Sequence, residues 1–167
     1  DRVTRGSAFP DITYAFNADF NYKNFDMRVF LQGVSGSSAY NGFKLTTVYP
    51  NQTSVGPEAN LSADAIDTWS PTNTGSSNFR LGGAGDNLRP SDFWIEDTSY
   101  LRLKNVTIGY TFPEIKGISR LRVYAAGENL FTITDYSGLD PEVGNRGLDG
   151  GQYPLATTFT IGLNVGF

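Results

Sequence analysis

The sequence contains no cysteine and no histidine in 167 residues. Without cysteine the chain has no disulfide framework and no thiol nucleophile, and without histidine it has no imidazole base. The common zinc ligand sets, which draw on these two residue types, are excluded as well. The sequence therefore predicts no catalytic residue, no cofactor and no metal site, which argues against an enzyme.

Long apolar runs and strong positive charge are also missing. No stretch approaches the roughly 20 apolar residues of a membrane-spanning helix, so a membrane-resident chain of this sequence must cross with strands. A net charge of −4 without a basic run argues against nucleic acid as a partner. Residues 1–11 contain no apolar stretch of the kind found in a signal peptide, which predicts either a mature protein or a fragment.

What the sequence does contain is alternation of apolar and small polar residues, clearest in residues 157–167, TTFTIGLNVGF. In a β-strand, residues of one parity share a face. A strand of about 9 to 11 residues with one apolar and one polar face is typical of transmembrane barrels, which meet lipid outside and water inside. The apolar parity consists of Phe159, Ile161, Leu163, Val165 and Phe167.

Four further segments predict strands of the same kind, namely residues 12–22, 24–35, 97–112 and 120–134. The alternation is unbroken in the first of them, whereas Phe30 and Val34 interrupt the polar face of the second. Within 97–112 the apolar parity changes, which either a bulge near Asn105 or an upper part that rises beyond the membrane would explain. The predicted fold class is all-β, an antiparallel transmembrane β-barrel segment.

The connections between the five predicted strands alternate between short and long. Residues 22–24 and 113–119 form short turns, whereas residues 36–97 and 135–155 form long loops. Bacterial barrels have short periplasmic turns and longer extracellular loops. Residues 1–167 are therefore predicted to be one portion of a barrel, with two extracellular loops and a periplasmic carboxyl terminus.

The first long loop shows signals for structure of its own. Residues 38–49 and 62–69 predict short helices, the second with Ser62 as its cap, and residues 72–87 predict irregular structure. Five strands cannot close a barrel, which usually has at least about eight. The remaining strands must come from other chains or from a longer polypeptide.

Several segments carry a resemblance to a known family. They are IEDTSYLRLKNVTIGYTFP at 95–113, LRVYAAGENLFTIT at 121–134, DYSGLDPE at 135–142, YKNFDMRVFLQGVSG at 22–36 and DTWSPTN at 67–73. Together they resemble the carboxyl-terminal part of SusC/RagA-family TonB-dependent outer-membrane transporters. The resemblance covers nearly the whole chain in the right order.

The resemblance implies a plugged barrel of about 22 strands in the outer membrane of a Gram-negative cell, of which this chain supplies the last five. It implies a SusD-like surface lipoprotein as a partner and glycan or peptide fragments as cargo. It also implies that the TonB complex acts through a plug and a TonB box outside these residues. The further partners are the rest of the same barrel and outer-membrane lipid.

Aromatic residues of the two loops are candidate contacts for the partner or a ligand: Trp69, Trp94, Tyr136 and Tyr153. For the two tryptophans, packing within a loop or at the bilayer interface is the alternative. Phe167 is a candidate recognition residue for the barrel-assembly machinery, because it is an aromatic carboxyl-terminal residue on a two-faced strand, and the resemblance carries the assembly role.

Three other groups of side chains are candidates for a chemical or binding role. Asp140, Glu142, Asn145 and Asp149 suggest calcium, but their spacing misses the EF-hand pattern, which favours a solvated turn. Glu96 and Asp97 are neighbours in a predicted strand, so they would point apart and not flank one glycosidic bond. Arg102 and Lys104 have the same parity and would share one face of the strand. There they would meet lipid headgroups, the lipoprotein or only solvent.

Two other functions compete with transport. One is a soluble carbohydrate-binding β-sandwich, whose alternation would face an internal core. The other is a structural or adhesive barrel. Membrane residence is favoured by aromatic residues near the strand ends, namely Tyr14, Tyr22, Tyr110, Phe112 and Phe167.

Overall fold

The computed structural model describes residues 3–49, 60–81, 89–113, 115–143 and 147–167. The chain divides into two compact units. The strand unit comprises residues 10–36, 99–135 and 154–167, and the loop unit comprises residues 1–9, 37–98 and 136–153. Among the described residues, the helical segments are too short and too polar to cross a bilayer.

The secondary structure is mainly β. In chain order the elements are β1 Ile12–Tyr22, β2 Phe25–Ser35, β3 Ser38–Asn41, α1 Gly42–Val48, β4 Ile95–Asp97, β5 Tyr100–Thr111, β6 Arg120–Thr134, β7 Leu148–Asp149 and β8 Thr158–Gly166. Two short 3-10 turns, Ala63–Ala65 and Asp92–Trp94, belong to the loop unit. Each of the five segments predicted from alternation contains a strand of the main sheet, and two of these strands have the predicted bounds.

The strand unit is one antiparallel sheet in the order β1, β2, β5, β6, β8, so strands that follow one another within this unit are neighbours. The registers keep each parity on one side: Phe16 lies opposite Leu31, and Asp19 lies opposite Arg28. We call the two sides the apolar face and the polar face. Phe159 and Ile161 on the apolar face are 77% and 84% exposed, which a β-sandwich core would not allow.

A bulge explains the parity change in β5. Asn105 pairs with Phe30, but the next pair along joins Leu103 to Leu31, so β5 has one extra residue at Lys104. Of the two explanations that the sequence left open, the bulge near Asn105 is the one confirmed, and it keeps residues of both halves of β5 on their proper faces. β6 is irregular beside it, where Asn129 adopts a left-handed backbone with φ of 51°.

Three predictions about strand and helix limits are wrong, namely those for the segments 97–112, 62–69 and 38–49. The segment 97–112 is not one strand, because Thr98 turns away to donate its N–H to the carbonyl of Ser37, which separates β4 from β5. The predicted helix at 62–69 is only the 3-10 turn Ala63–Ala65, although Ser62 caps it as expected by accepting from the N–H of Asp64. The cap residue was predicted correctly, but the helical segment is shorter than predicted.

The loop unit has a small sheet and an aromatic core. β3 lies between β4, to which it is antiparallel, and β7, to which it is parallel. The predicted helix at 38–49 begins as β3 and becomes α1 only at Gly42, where the Asn41 side chain accepts from the N–H of Lys44 at 2.8 Å. The core is formed by Val48, Tyr49, Ala65 and Trp94, with Phe79 and Phe93 packed against it.

Candidate functional site

The polar face of the strand unit carries a bidentate ion pair between β2 and β6, which flank β5. The Arg122 guanidinium donates to both carboxylate oxygens of Asp26, at 2.9 and 2.5 Å. The side chain reaches Asp26 across Gly109 of β5, where a Cβ would collide with the guanidinium. Glycine at this position therefore makes room for the pair, and a fork-shaped guanidinium fits a carboxylate in this geometry.

Tyr124 extends the same cluster along β6. The Arg122 guanidinium lies 5.1 Å from the centre of the Tyr124 ring, a distance suited to a cation–π contact. Tyr124 pairs with Gly109 on one side and Gly162 on the other, and a Cβ at Gly162 would meet its ring. Gly162 therefore leaves space for the Tyr124 ring, as Gly109 leaves space for the Arg122 guanidinium.

A concave space of about 690 Å³ on this face contains a second, more exposed ion pair, in which Arg28 donates to Asp19 at 2.6 Å. Lys23 and Arg120 line the same space near the short turns. Four basic and two acidic side chains thus share the polar face here. Such charges are costly against lipid and inexpensive in a wet lumen, so this face is suited to water and the other to lipid.

In the loop unit, Glu96 of β4 connects three segments. Its carboxylate accepts from the Lys44 ammonium at 3.1 Å and from the N–H of Ser137 at 3.0 Å, and the Ser137 hydroxyl also donates to it. Burial would raise the pKa of Glu96, but the hydrogen bonds from Ser137 and Lys44 outweigh burial and hold that pKa below its ordinary value. The network is structural, because it joins α1, β4 and the segment after β6.

Asp149, one of the residues weighed for calcium, is 2% exposed and accepts from the Tyr136 hydroxyl at 2.6 Å and from the N–H of Gly151 at 2.8 Å. Burial and this carboxylate raise the pKa of the Tyr136 hydroxyl. Asp140 instead accepts from the N–H of Glu142, as in a turn, and Asn145 lies outside the described residues. Within the described ranges no group of acidic side chains is arranged to hold a metal ion.

The four aromatic residues of the loops that were predicted as contacts differ in exposure: two are buried and two are exposed. Trp94 is fully buried, with its ring 5.6 Å from that of Tyr49, so the alternative of packing within the loop describes it. Tyr136 is buried as well. Trp69 is 37% exposed and Tyr153 is 94% exposed, so the side chains of these two residues are accessible to solvent.

Phe167 and Arg102 are the remaining candidate residues from the sequence. Phe167 follows β8 and is exposed. Arg102 lies on the polar face, where it is 3% exposed and donates to the Thr132 hydroxyl at 2.6 Å, so it does not meet lipid headgroups as one alternative held. Sequence reasoning missed the Asp26 pair and the Glu96 network. Gly109, a glycine at a polar-face position of β5, was the available signal for the first.

An open antiparallel sheet with an exposed apolar face and a charged opposite face defines a section of transmembrane barrel wall. The chain is 40% identical over 182 residues to the TonB-dependent receptor P3 of Formosa agariphila, covering 100% of this chain and 17% of that protein. It is 34% identical over 163 residues to the TonB-dependent receptor SusC of Bacteroides thetaiotaomicron, covering 94% of this chain and 15% of SusC.

Solved structures also match the fold of this chain. Chains of the RagAB peptide importer in its "open-open" state and of the RagAB peptide transporter match with TM-scores of 0.79 and 0.80, at 25% identity, over 97% of this chain and 18% of those chains. No protein-family model matches. The chain belongs to the SusC/RagA family of TonB-dependent outer-membrane transporters. It spans 17% of the length of P3, and these relatives are named as receptors and transporters, not enzymes.

Proposed function

We propose that the whole protein imports nutrient oligomers, either glycan or peptide fragments, across the outer membrane in a TonB-dependent manner. In this function the strand unit forms part of the barrel wall around the transport path. The observation that carries the proposal is the two-faced sheet, with its exposed apolar face and its charged polar face, in a chain whose relatives are named TonB-dependent receptors. TonB acts through regions outside these residues.

Deletion of the gene in its native host tests import directly. Uptake of a labelled glycan-fragment pool and of a labelled peptide-fragment pool should be compared in the parent, the deletion strain and a strain without TonB. One pool should be taken up less by both altered strains, and that pool identifies the cargo class. Uptake of both pools at the parental rate in the deletion strain would contradict import.

We further propose that the loop unit is extracellular and that the short turns and the carboxyl terminus are periplasmic. Short turns on the periplasmic side and long loops outside are usual for bacterial barrels. These 167 residues contain no cysteine, so labelling above that of the parent protein reports a cysteine introduced here. Tyr153→Cys should react with a membrane-impermeant maleimide in intact cells, whereas Lys116→Cys should react only after the outer membrane is permeabilised. The reverse pattern would contradict this orientation.

A SusD-like lipoprotein is the proposed partner of the loop unit, with Trp69 and Tyr153 as candidate contacts. The sequence predicts that deleting residues 73–86 weakens this association more than barrel folding. However, Phe79 lies within the deletion and packs on Phe93 with ring centres 4.2 Å apart, so the deletion would also damage the core of the loop unit.

Exposed point variants are therefore the sharper test of the partner. Tyr153→Ala and Trp69→Ala together should lower the amount of lipoprotein that co-purifies with the full-length transporter, while leaving its amount in the membrane unchanged. Ile66→Ala, at another exposed position of the loop unit, is the matched control. Undiminished co-purification with the double variant would show that these two residues do not hold the partner.

Phe167 is proposed to serve barrel assembly as a terminal aromatic residue. Phe167→Ala keeps the chain length and should lower the amount of heat-modifiable barrel in the outer membrane at native expression. Leu155→Ala, an exposed apolar residue before β8, controls for the loss of apolar surface. Equal assembly of the Phe167 variant and the parent would refute the role.

A further inference from the structure

The loop unit contains a groove whose floor is apolar and well supported. Tyr40 of β3 and Ile95 of β4 are directly opposite each other in the small sheet, so their side chains share one face and both line the groove. Their sequence neighbours Ala39 and Glu96, also a pair, occupy the other face. Tyr40 also packs against the aromatic core, which supports the floor from behind.

The rim of this groove is predominantly basic in a chain whose overall charge is −4. Arg5 and Arg89 line it, with Asp92 as the one acidic side chain among its described lining residues and Ser91 as a hydroxyl. The concave space is about 980 Å³, which is at the upper end of the size usual for small-ligand sites, about 300 to 1,000 Å³. Two guanidinium groups beside an apolar floor suit a ligand that combines a negative group with an apolar surface.

We propose that this groove binds a carboxylate group carried by the cargo oligomer, with the adjoining apolar part of that unit against Tyr40 and Ile95. The inference rests on the proposed import function, because it assigns the cargo a negative charge. Planar guanidinium groups bind carboxylate oxygens in pairs, which gives both strength and orientation. A concave, partly apolar site favours a small oligomer over the flatter surface of a protein partner.

Binding should be measured on the purified full-length transporter with four fluorescent probes: trigalacturonate, its methyl ester, and triglutamate and triglutamine that are both amidated at the carboxyl terminus. At least one of the two charged probes should bind more tightly than its neutral counterpart, and the preference should weaken as salt is added. The carbohydrate and peptide probes distinguish the two sources of the negative group. Arg5→Gln and Arg89→Gln should each weaken binding of that charged probe by about tenfold.

Arg80→Gln, an exposed arginine of the loop unit that does not line the groove, is the matched control and should leave binding unchanged. Equal affinity for charged and neutral probes, or unchanged binding of the charged probe in both groove variants, would overturn the proposal. Loss of lipoprotein co-purification without loss of probe binding would also overturn it and assign the groove to the partner. TonB-dependent uptake that persists alongside such a result would show that import stands while this inference fails.

Discussion

At the scale of single residues, the ion pair of Asp26 and Arg122 is open to direct measurement. The side chains are 33% and 14% exposed, respectively, so Asp26→Asn leaves a guanidinium partly buried with a weaker partner. We expect a loss of about 1 kcal/mol in the stability of the full-length barrel, with a coupling of similar size to Arg122→Gln in a double-mutant cycle. Heat modifiability on gels in a series of temperatures measures both.

The pair of Asp19 and Arg28 provides the matched control. Its side chains are 55% and 68% exposed, and solvent screens such pairs strongly. Asp19→Asn should therefore change the melting temperature much less than Asp26→Asn. Equal effects of the two substitutions would mean that burial on the polar face does not set the strength of these contacts.

The glycine beside Tyr124 is the second residue-scale test. Gly162→Ala should displace the Tyr124 ring, because the new Cβ occupies its place, and should cost about 1 kcal/mol of stability. The same substitution should be nearly neutral in a Tyr124→Ala background. Gly75→Ala, where a Cβ would meet nothing within 4 Å, is the control. A neutral Gly162→Ala in the presence of Tyr124 would contradict the proposed role of the glycine.

At the scale of elements, the contacts among α1, β4 and the segment after β6 should depend on pH through Glu96. Its pKa is lower in the folded protein than its ordinary value of 4.5, because the hydrogen bonds from Ser137 and Lys44 outweigh burial. The stabilisation is complete above the unfolded value and is lost as the pH falls from about 4.5 through the folded pKa. Hydrogen-exchange protection factors for residues 42–48 and 136–138 should fall over that range.

Glu96→Gln is the control for this pH effect. The variant keeps the size of the side chain but has no charge to lose, so its protection should be lower near neutral pH and should lack this acid transition. Protection in the strand unit should not follow the transition in either protein. If parent and variant lose protection in parallel on acidification, Glu96 is not the group responsible.

At the scale of the whole molecule, the sheet has two outer strands. Among the described residues, β1 pairs only with β2 and β8 only with β6. Unpaired backbone groups in lipid cost several kcal/mol each, so the edges must be satisfied by further strands. The 167-residue chain expressed alone with a signal peptide should therefore fail to form a heat-modifiable barrel, whereas the full-length protein should form one. A heat-modifiable barrel formed from the fragment would contradict this.

Alternation along the sequence alone determined the strands and their faces. The bounds of β1 and β6 were predicted to the residue, and the change of parity in β5 indicated a bulge as one of two explanations, because side-chain direction in a strand depends on near neighbours only. The caps formed by Asn41 and Ser62 in the loop unit also depend only on residues near them in the sequence. The resemblance to the family also required nothing but the order of short segments.

Only the tertiary structure decided which loop residues are buried and which polar side chains meet. Trp69 and Trp94 look alike in sequence, but only Trp94 is enclosed, because Tyr49 and Phe79 come to it from distant segments. Asp26 and Arg122 are 96 positions apart, and Glu96 and Ser137 are 41 apart. Contacts over such separations depend on the register of strands and the path of loops, which no local period specifies.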